Sequence, residues 1–195
     1  MAKTVEFLFD FGSPASYLAY KRLPELRSRT GARIDYVPML LGGVFKATGN
    51  ASPAAIPAKG RWMNADLRRW ADRHGTEFHQ NPFFPINTLH LMRGAAGLAE
   101  DTRFLSYCDA VFDAMWCEPK NLGDPAELAP VLRRAGLDAQ DFKTLVERED
   151  VKARLKAVTE QAVERGVFGA PTFFVGEEMF FGQDRMDFVE AALAA

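Results

Sequence analysis

The chain reads as an α/β fold in which its two ends build one sheet and its middle is an all-helical insertion. Three observations carry that reading. Val5–Phe9 is a short apolar, aromatic run that stops at Asp10 and leads through Gly12-Ser13-Pro14 into an amphipathic helix. Thr172–Val175 and Met179–Phe181 form a second pair of short apolar runs, separated by a Gly176-Glu177-Glu178 turn, before a last helix at Met186–Leu193. Between the ends, apolar residues recur at helical rather than alternating spacing, as in Leu105, Cys108, Val111, Phe112, Met115 and Trp116.

The elements follow in order. Val5–Phe9 is too short to span a membrane and has the aromatic and β-branched character of a strand. Ser13 is a preferred helix N-cap and Pro14 fits the first helical turn, where its missing N–H costs nothing. Tyr17, Leu18, Leu23 and Leu26 give that helix its apolar stripe. Arg33–Pro38 reads as a second strand, completing a βαβ start. Gly42–Gly60 shifts to Gly, Ala, Pro, Asn and Ser and reads as an irregular segment beside a site. Helices are expected over Trp62–His74, Asn87–Ala99, the Leu105–Trp116 stretch, Asp124 to about Ala135, Asp138–Glu147 and Val151–Arg165. Phe78–Pro85 is an irregular aromatic connector, and Gly166 suits the end of the long helix. The expected division is a sheet domain made of 1–41 and 151–195, interrupted by a helical domain, 42–150.

Composition narrows the function. A length of 195 residues can bury a substantial core, and a net charge of −2 offers no electrostatic case for nucleic acid or a membrane surface. No run of 18 apolar residues and no signal-type leader is readable, so a soluble cytoplasmic protein is expected. Cys108 and Cys117 lie nine apart in one expected helix and read as small buried hydrophobes rather than a bridge. His74, His79 and His90 have no metal-ligand spacing, so no metal is expected. Ser13 lacks a Gly-x-Ser-x-Gly elbow and an adjacent base, which argues against its acting as a covalent nucleophile.

The chemistry concentrates at the corner Phe9-Asp10-Phe11-Gly12-Ser13-Pro14-Ala15-Ser16. It resembles the corner of thioredoxin-like oxidoreductases, where Cys-x-x-Cys opens the helix; here both positions are serine. A helix N-terminus favours an anion by about 0.3–1 kcal/mol, so a thiolate docked there would be stabilised. With no cysteine at the corner, any sulfur chemistry here needs a sulfur supplied by a ligand. Ala170-Pro171-Thr172 fits the role of the cis-proline that faces this corner in such folds.

Taken together, FDFGSPASYLA, GNASPAAIPAKGRWMNADL, FPINTLHLMR and GVFGAPTFFV…FGQDRMDFVE resemble the 2-hydroxychromene-2-carboxylate isomerases, relatives of kappa-class glutathione transferases, over nearly the whole chain. The resemblance implies a thioredoxin-like domain of the DsbA type with the helical insertion, a homodimer, and glutathione bound between the two parts. It implies a reversible addition of the glutathione thiolate to a small aromatic carboxylate of aromatic-compound catabolism, Ser13 being the catalytic residue. Glutathione is expected at Ser13, Ala170, Pro171, Gly182, Gln183, Asp184 and Arg185, with Asp184 pairing the α-amino group and Gln183 the α-carboxylate of the glutamyl part. Lys46, Asn50, Lys59 and Asn87 are the residues expected on the substrate side. Two departures bear on pocket shape: Asn50-Ala51-Ser52-Pro53 replaces a commoner Asn-Lys-Pro-Pro, and Gly12 stands where leucine is frequent. A kappa-type transferase shares the same corner. A redox-inactive peptide-binding module keeps the cis-proline surface but leaves Asn50, Lys59 and Gln183-Asp184 without a role. A disulfide oxidoreductase would need cysteines that the corner lacks.

Overall fold

The computed structural model describes residues 3–195; residues 1 and 2, which open the expected 1–41 segment, lie outside the described residues. Four strands form one mixed sheet in the order β2-β1-β3-β4. β1 (Thr4–Phe9) runs parallel to β2 (Arg33–Pro38) and antiparallel to β3 (Thr172–Val175), which pairs antiparallel with β4 (Glu178–Phe181). Phe7 stands opposite both Tyr36 and Phe173, and Phe173 opposite Phe180, so four aromatic side chains line one row across the sheet.

Strand alternation divides β1 between two faces. Val5, Phe7 and Phe9 are fully buried on the face covered by α1 (Pro14–Thr30), α5 (Phe104–Trp116) and α9 (Met186–Ala194). Phe112 of α5 is the hub there, its ring centroid 5.6 Å from Phe9, 4.8 Å from Phe11 and 4.8 Å from Tyr20. The helical middle and the sheet therefore share one aromatic core. Leu8 points the other way and packs with Met39, Val44, Ala162, Val167 and Phe174 beneath α2 (Leu41–Thr48) and α8 (Glu149–Glu164).

The expected strands and helices are present, with differences at α2 and at several element ends, among them α8, which runs Glu149–Glu164, and β4, which takes in Glu178. α2 occupies part of the segment read as irregular, although it contains Gly42 and Gly43. Val44 is fully buried on the sheet and the Leu41 N–H reaches a buried carboxylate, and these tertiary contacts outweigh glycine's poor helix propensity. α3 (Pro57–His74) begins five residues before Trp62, with Pro57 in its first turn. α4 (Leu89–Gly97) starts after Asn87, whose side chain accepts the Leu89 N–H. α6 (Pro125–Arg134) and α7 (Ala139–Glu147) start at the N-caps Asp124 and Asp138. Two X-Pro bonds are cis, Ala170–Pro171 as expected and Phe84–Pro85, which the sequence reading did not single out. Cys108 is buried, but Cys117 lies just past α5 and is only half-buried, because the helix ends at Trp116.

Candidate functional site

The strand β1 ends at Phe9, and the side chain of Asp10, the next residue, organises the corner that follows. Asp10 is 1 % exposed; one carboxylate oxygen accepts the Gly12 N–H and the Thr88 hydroxyl, each at 2.8 Å, and the other accepts the Leu41 N–H at 2.8 Å. One buried carboxylate thus ties the corner to the starts of α2 and α4. Burial pushes its carboxyl above the usual range, while the three hydrogen bonds pull the other way. Trp116 adds a further anchor, its indole N–H donating to the Phe11 carbonyl at 2.8 Å.

Ser13 caps α1 as its sequence implies, accepting the Ser16 N–H at 3.1 Å. Its hydroxyl also donates to the Ala170 carbonyl at 2.9 Å, across the cis peptide bond to Pro171. The hydroxyl proton is therefore directed at the cis-proline loop, and it has to turn from that carbonyl to serve a ligand sulfur. Ser16, at the second position of the corner, is fully buried with its hydroxyl unpaired.

The cis-proline loop in turn holds the C-terminal turn. The Gly182 N–H donates to the Pro171 carbonyl at 3.0 Å. Gly182 has φ of +106°, a conformation that favours glycine, and a Cβ there would stand 2.5 Å from the Asp184 carboxylate, which would have to move aside. Gln183 is buried, and its side-chain carbonyl oxygen has no partner. Asp184 pairs with its neighbour Arg185 at 2.6 Å. Ser13, Ala170, Pro171 and the turn Gly182–Arg185 are thus linked in space by two hydrogen bonds, although more than 150 residues separate their ends in sequence.

The substrate-side residues separate. The Asn50 amide donates to the Phe168 carbonyl at 2.8 Å, two residues from Ala170, which ties the loop after α2 to the cis-proline segment. Lys59 is exposed in the first turn of α3. Asn87, one residue ahead of the α4 N-cap Thr88, accepts the Leu89 N–H and lines a cavity of about 280 Å³ with Leu122 and Leu128. Lys46 lines a different, larger cavity between α2, α4 and α8 that includes none of Ser13, Ala170 or Pro171.

Sequence reasoning missed five contributors. Asp10 and Thr88 form the buried hub. Arg22 of α1 is buried and donates to the Gln183 carbonyl at 3.2 Å, steadying the C-terminal turn from below. Phe168 and Phe181, 4.6 Å apart and both partly exposed, form an aromatic platform beside Gly169, where a Cβ would come within 2.7 Å of the Phe181 ring. An acid directly after an apolar strand was the one local signal for Asp10. The others depend on contacts distant in sequence. Among the described residues, no cluster of three or more His, Cys, Asp or Glu side chains is placed to hold a metal ion. None of the described helices is long and apolar enough to cross a membrane.

A DSBA-like thioredoxin domain is matched over residues 4–194. The chain is 34 % identical to a 2-hydroxychromene-2-carboxylate isomerase of Sphingobium xenophagum, over 99 % of both chains. It is 27 % identical to human glutathione S-transferase kappa 1, over 96 % of this chain and 89 % of that protein. A solved 2-hydroxychromene-2-carboxylate isomerase superposes with a TM-score of 0.88 at 32 % identity, covering 98 % of this chain and 94 % of the other. The serine corner, the cis-proline facing it and the glycine turn beyond thus sit in a frame shared along the whole chain, which belongs to the 2-hydroxychromene-2-carboxylate isomerase family within the DsbA-like thioredoxin fold.

Proposed function

We propose that this protein is a glutathione-dependent isomerase that interconverts 2-hydroxychromene-2-carboxylate and its opened benzylidenepyruvate form. The observation that carries the reading is the Ser13 hydroxyl set 2.9 Å from the Ala170 carbonyl, at a helix N-terminus that has no cysteine of its own. The surrounding residues fit glutathione: the buried Gln183 keeps an unpartnered side-chain oxygen, free to accept from a ligand N–H, in the turn beside the cis-proline. When bound, glutathione supplies a thiolate that adds reversibly to the conjugated substrate, turning a double bond into one that can rotate before the sulfur is expelled.

The chain's own residues do the rest. Ser13 turns its hydroxyl from Ala170 to donate to the sulfur, and the positive end of the α1 dipole favours the anion. Gln183 and Asp184 hold the glutamyl end, with Asp184 sharing its charge between Arg185 and the α-amino group. Arg22 keeps the Gln183 backbone in place. Phe168 and Phe181 offer an aromatic face, and Asn50 fixes the loop that borders it. Lys59 supplies the cation for the substrate carboxylate.

An ultraviolet assay of the chromene carboxylate tests this directly. Approach to one equilibrium from both directions, only when glutathione is present, is the expected result. Conversion without glutathione removes it from the reaction. A stable conjugate that accumulates with an electrophile, and no isomerisation, assigns the site to transfer instead, as the similarity to kappa-class transferases would allow.

A further inference from the structure

A cavity of about 770 Å³ lies between α2, α4 and α8 and has no part in the chemistry proposed above. Its size falls within the range of small-molecule sites. Its floor is apolar, built by Leu40, Leu89, Leu155 and Val163. Gly43 shapes it: a Cβ there would come within 3.1 Å of the Thr159 methyl group, so glycine lets α2 approach α8. The Thr159 hydroxyl accepts the Leu40 N–H at 3.0 Å and donates to the Leu155 carbonyl at 2.7 Å, so the polar atom in that floor is satisfied within the protein.

The rim has the opposite character. Lys46, Arg93, Lys152 and Lys156 surround the opening, against the two carboxylates Glu160 and Glu164. Arg93 and Lys152 share Glu147, at 3.5 and 2.9 Å, Lys152 also reaches Glu149 at 3.2 Å, and Lys156 pairs with Glu160 at 3.5 Å. Among the described residues, Lys46 has no carboxylate within ion-pair distance. An apolar floor beneath cations matches a ligand with a hydrophobic body and one anionic end.

We propose that this cavity binds a small amphipathic carboxylate, its hydrocarbon part on the Leu40, Leu89 and Leu155 floor and its carboxylate at Lys46. The site is separate from the serine corner yet shares its supports. Leu40 and Leu89 line the cavity, while their neighbours Leu41 and Thr88 hydrogen-bond Asp10, which also holds Gly12 beside Ser13.

Calorimetric titration of the full-length protein, with glutathione in excess, tests the site with decanoate and 2-naphthoate as the acyl and aryl probes. At least one probe should bind, and the tighter one identifies the source of the ligand. Lys46→Glu should weaken binding tenfold or more, and Ala47→Trp, which fills the cavity from an exposed position, should abolish it. Decanol, lacking the charge, should bind at least tenfold more weakly than decanoate. Ser13→Ala should leave binding unchanged, which separates this result from any failure of the isomerase reading. Circular dichroism confirms that each variant is folded. The proposal is overturned if neither probe binds at millimolar concentration, or if folded Lys46→Glu and Ala47→Trp bind as the parent does. It is equally overturned if the probes do not bind and Ala47→Trp dissociates the protein, which would assign the cavity to a contact between two copies.

Discussion

The two faces of the sheet are built on different principles. One face is thick and aromatic: Phe7, Phe9 and Phe11 interlock with Tyr17, Tyr20, Phe112 and Trp116, so the inserted helices and the sheet form one core. The other is thin, with Leu8, Met39, Val44, Ala162, Val167 and Phe174 beneath α2 and α8. Its edge is closed by Arg165, which forms two hydrogen bonds to Glu6 at 2.7 and 2.9 Å and lies 3.7 Å over the Phe174 ring. The thick face dictates the frame. The thin face leaves room for a glycine-bearing helix, a buried polar hub and the large cavity. Function gathers along the seam between them.

Truncation on the two faces separates their roles. Phe112→Ala, at the hub of the thick face, should cost about 3–5 kcal/mol of unfolding free energy. Val44→Ala, on the thin face, removes two methyl groups and should cost about 2 kcal/mol. Denaturant unfolding of both variants checks the difference, and equal losses would erase the distinction between thick and thin.

Asp10→Asn probes the seam. Whichever way the amide turns, its NH₂ group meets a backbone N–H, from Leu41 or from Gly12, and a buried donor left unpaired costs about 1–3 kcal/mol. The pH dependence has a definite sign. Burial raises the Asp10 carboxyl above its value of 3.8, so its titration favours the folded state at low pH, and that contribution is lost as pH rises through the raised value. The stability gap between the parent and Asp10→Asn should therefore be widest in acid and narrow as pH increases. A gap that widens with pH would mean that the hydrogen bonds outweigh burial.

Ser13→Ala removes a helix cap worth about 1 kcal/mol and, on the proposed mechanism, most of the turnover. A variant that keeps its turnover would reduce Ser13 to a structural cap. The smallest effect belongs to the exposed loop before α5. Arg103 holds the Asp101 carboxyl down at about 2, so its contribution is present above pH 4 and fades as pH falls toward 2. Asp101→Asn should be detectable only as a slight flattening of the acid side of the stability profile.

How much was legible follows the same division. Ser13-Pro14, Asp124-Pro125 and Asp138 announce helix starts through local chemistry, and β1 and β2 follow from apolar runs. The cis bond at Pro171 was reached through resemblance rather than spacing. α2 was missed because its two glycines argue against a helix until Val44 finds the sheet and Leu41 finds Asp10. Lys46 and Asn50, four residues apart, read as one substrate-facing group, yet Asn50 reaches the Phe168 carbonyl while Lys46 lines the cavity beyond.

By itself, then, the amino-acid sequence determined the order and type of most elements, the serine corner without a redox pair, and the family. Capping, apolar periodicity and the absence of a thiol are properties of neighbouring residues, so they survive without the fold. Only the tertiary structure decided that Asp10 would join three elements, that Arg22 would support the Gln183 turn, and that four basic residues from three helices would ring one apolar floor. Those arrangements depend on contacts between residues tens to more than a hundred positions apart, and packing alone brings them together.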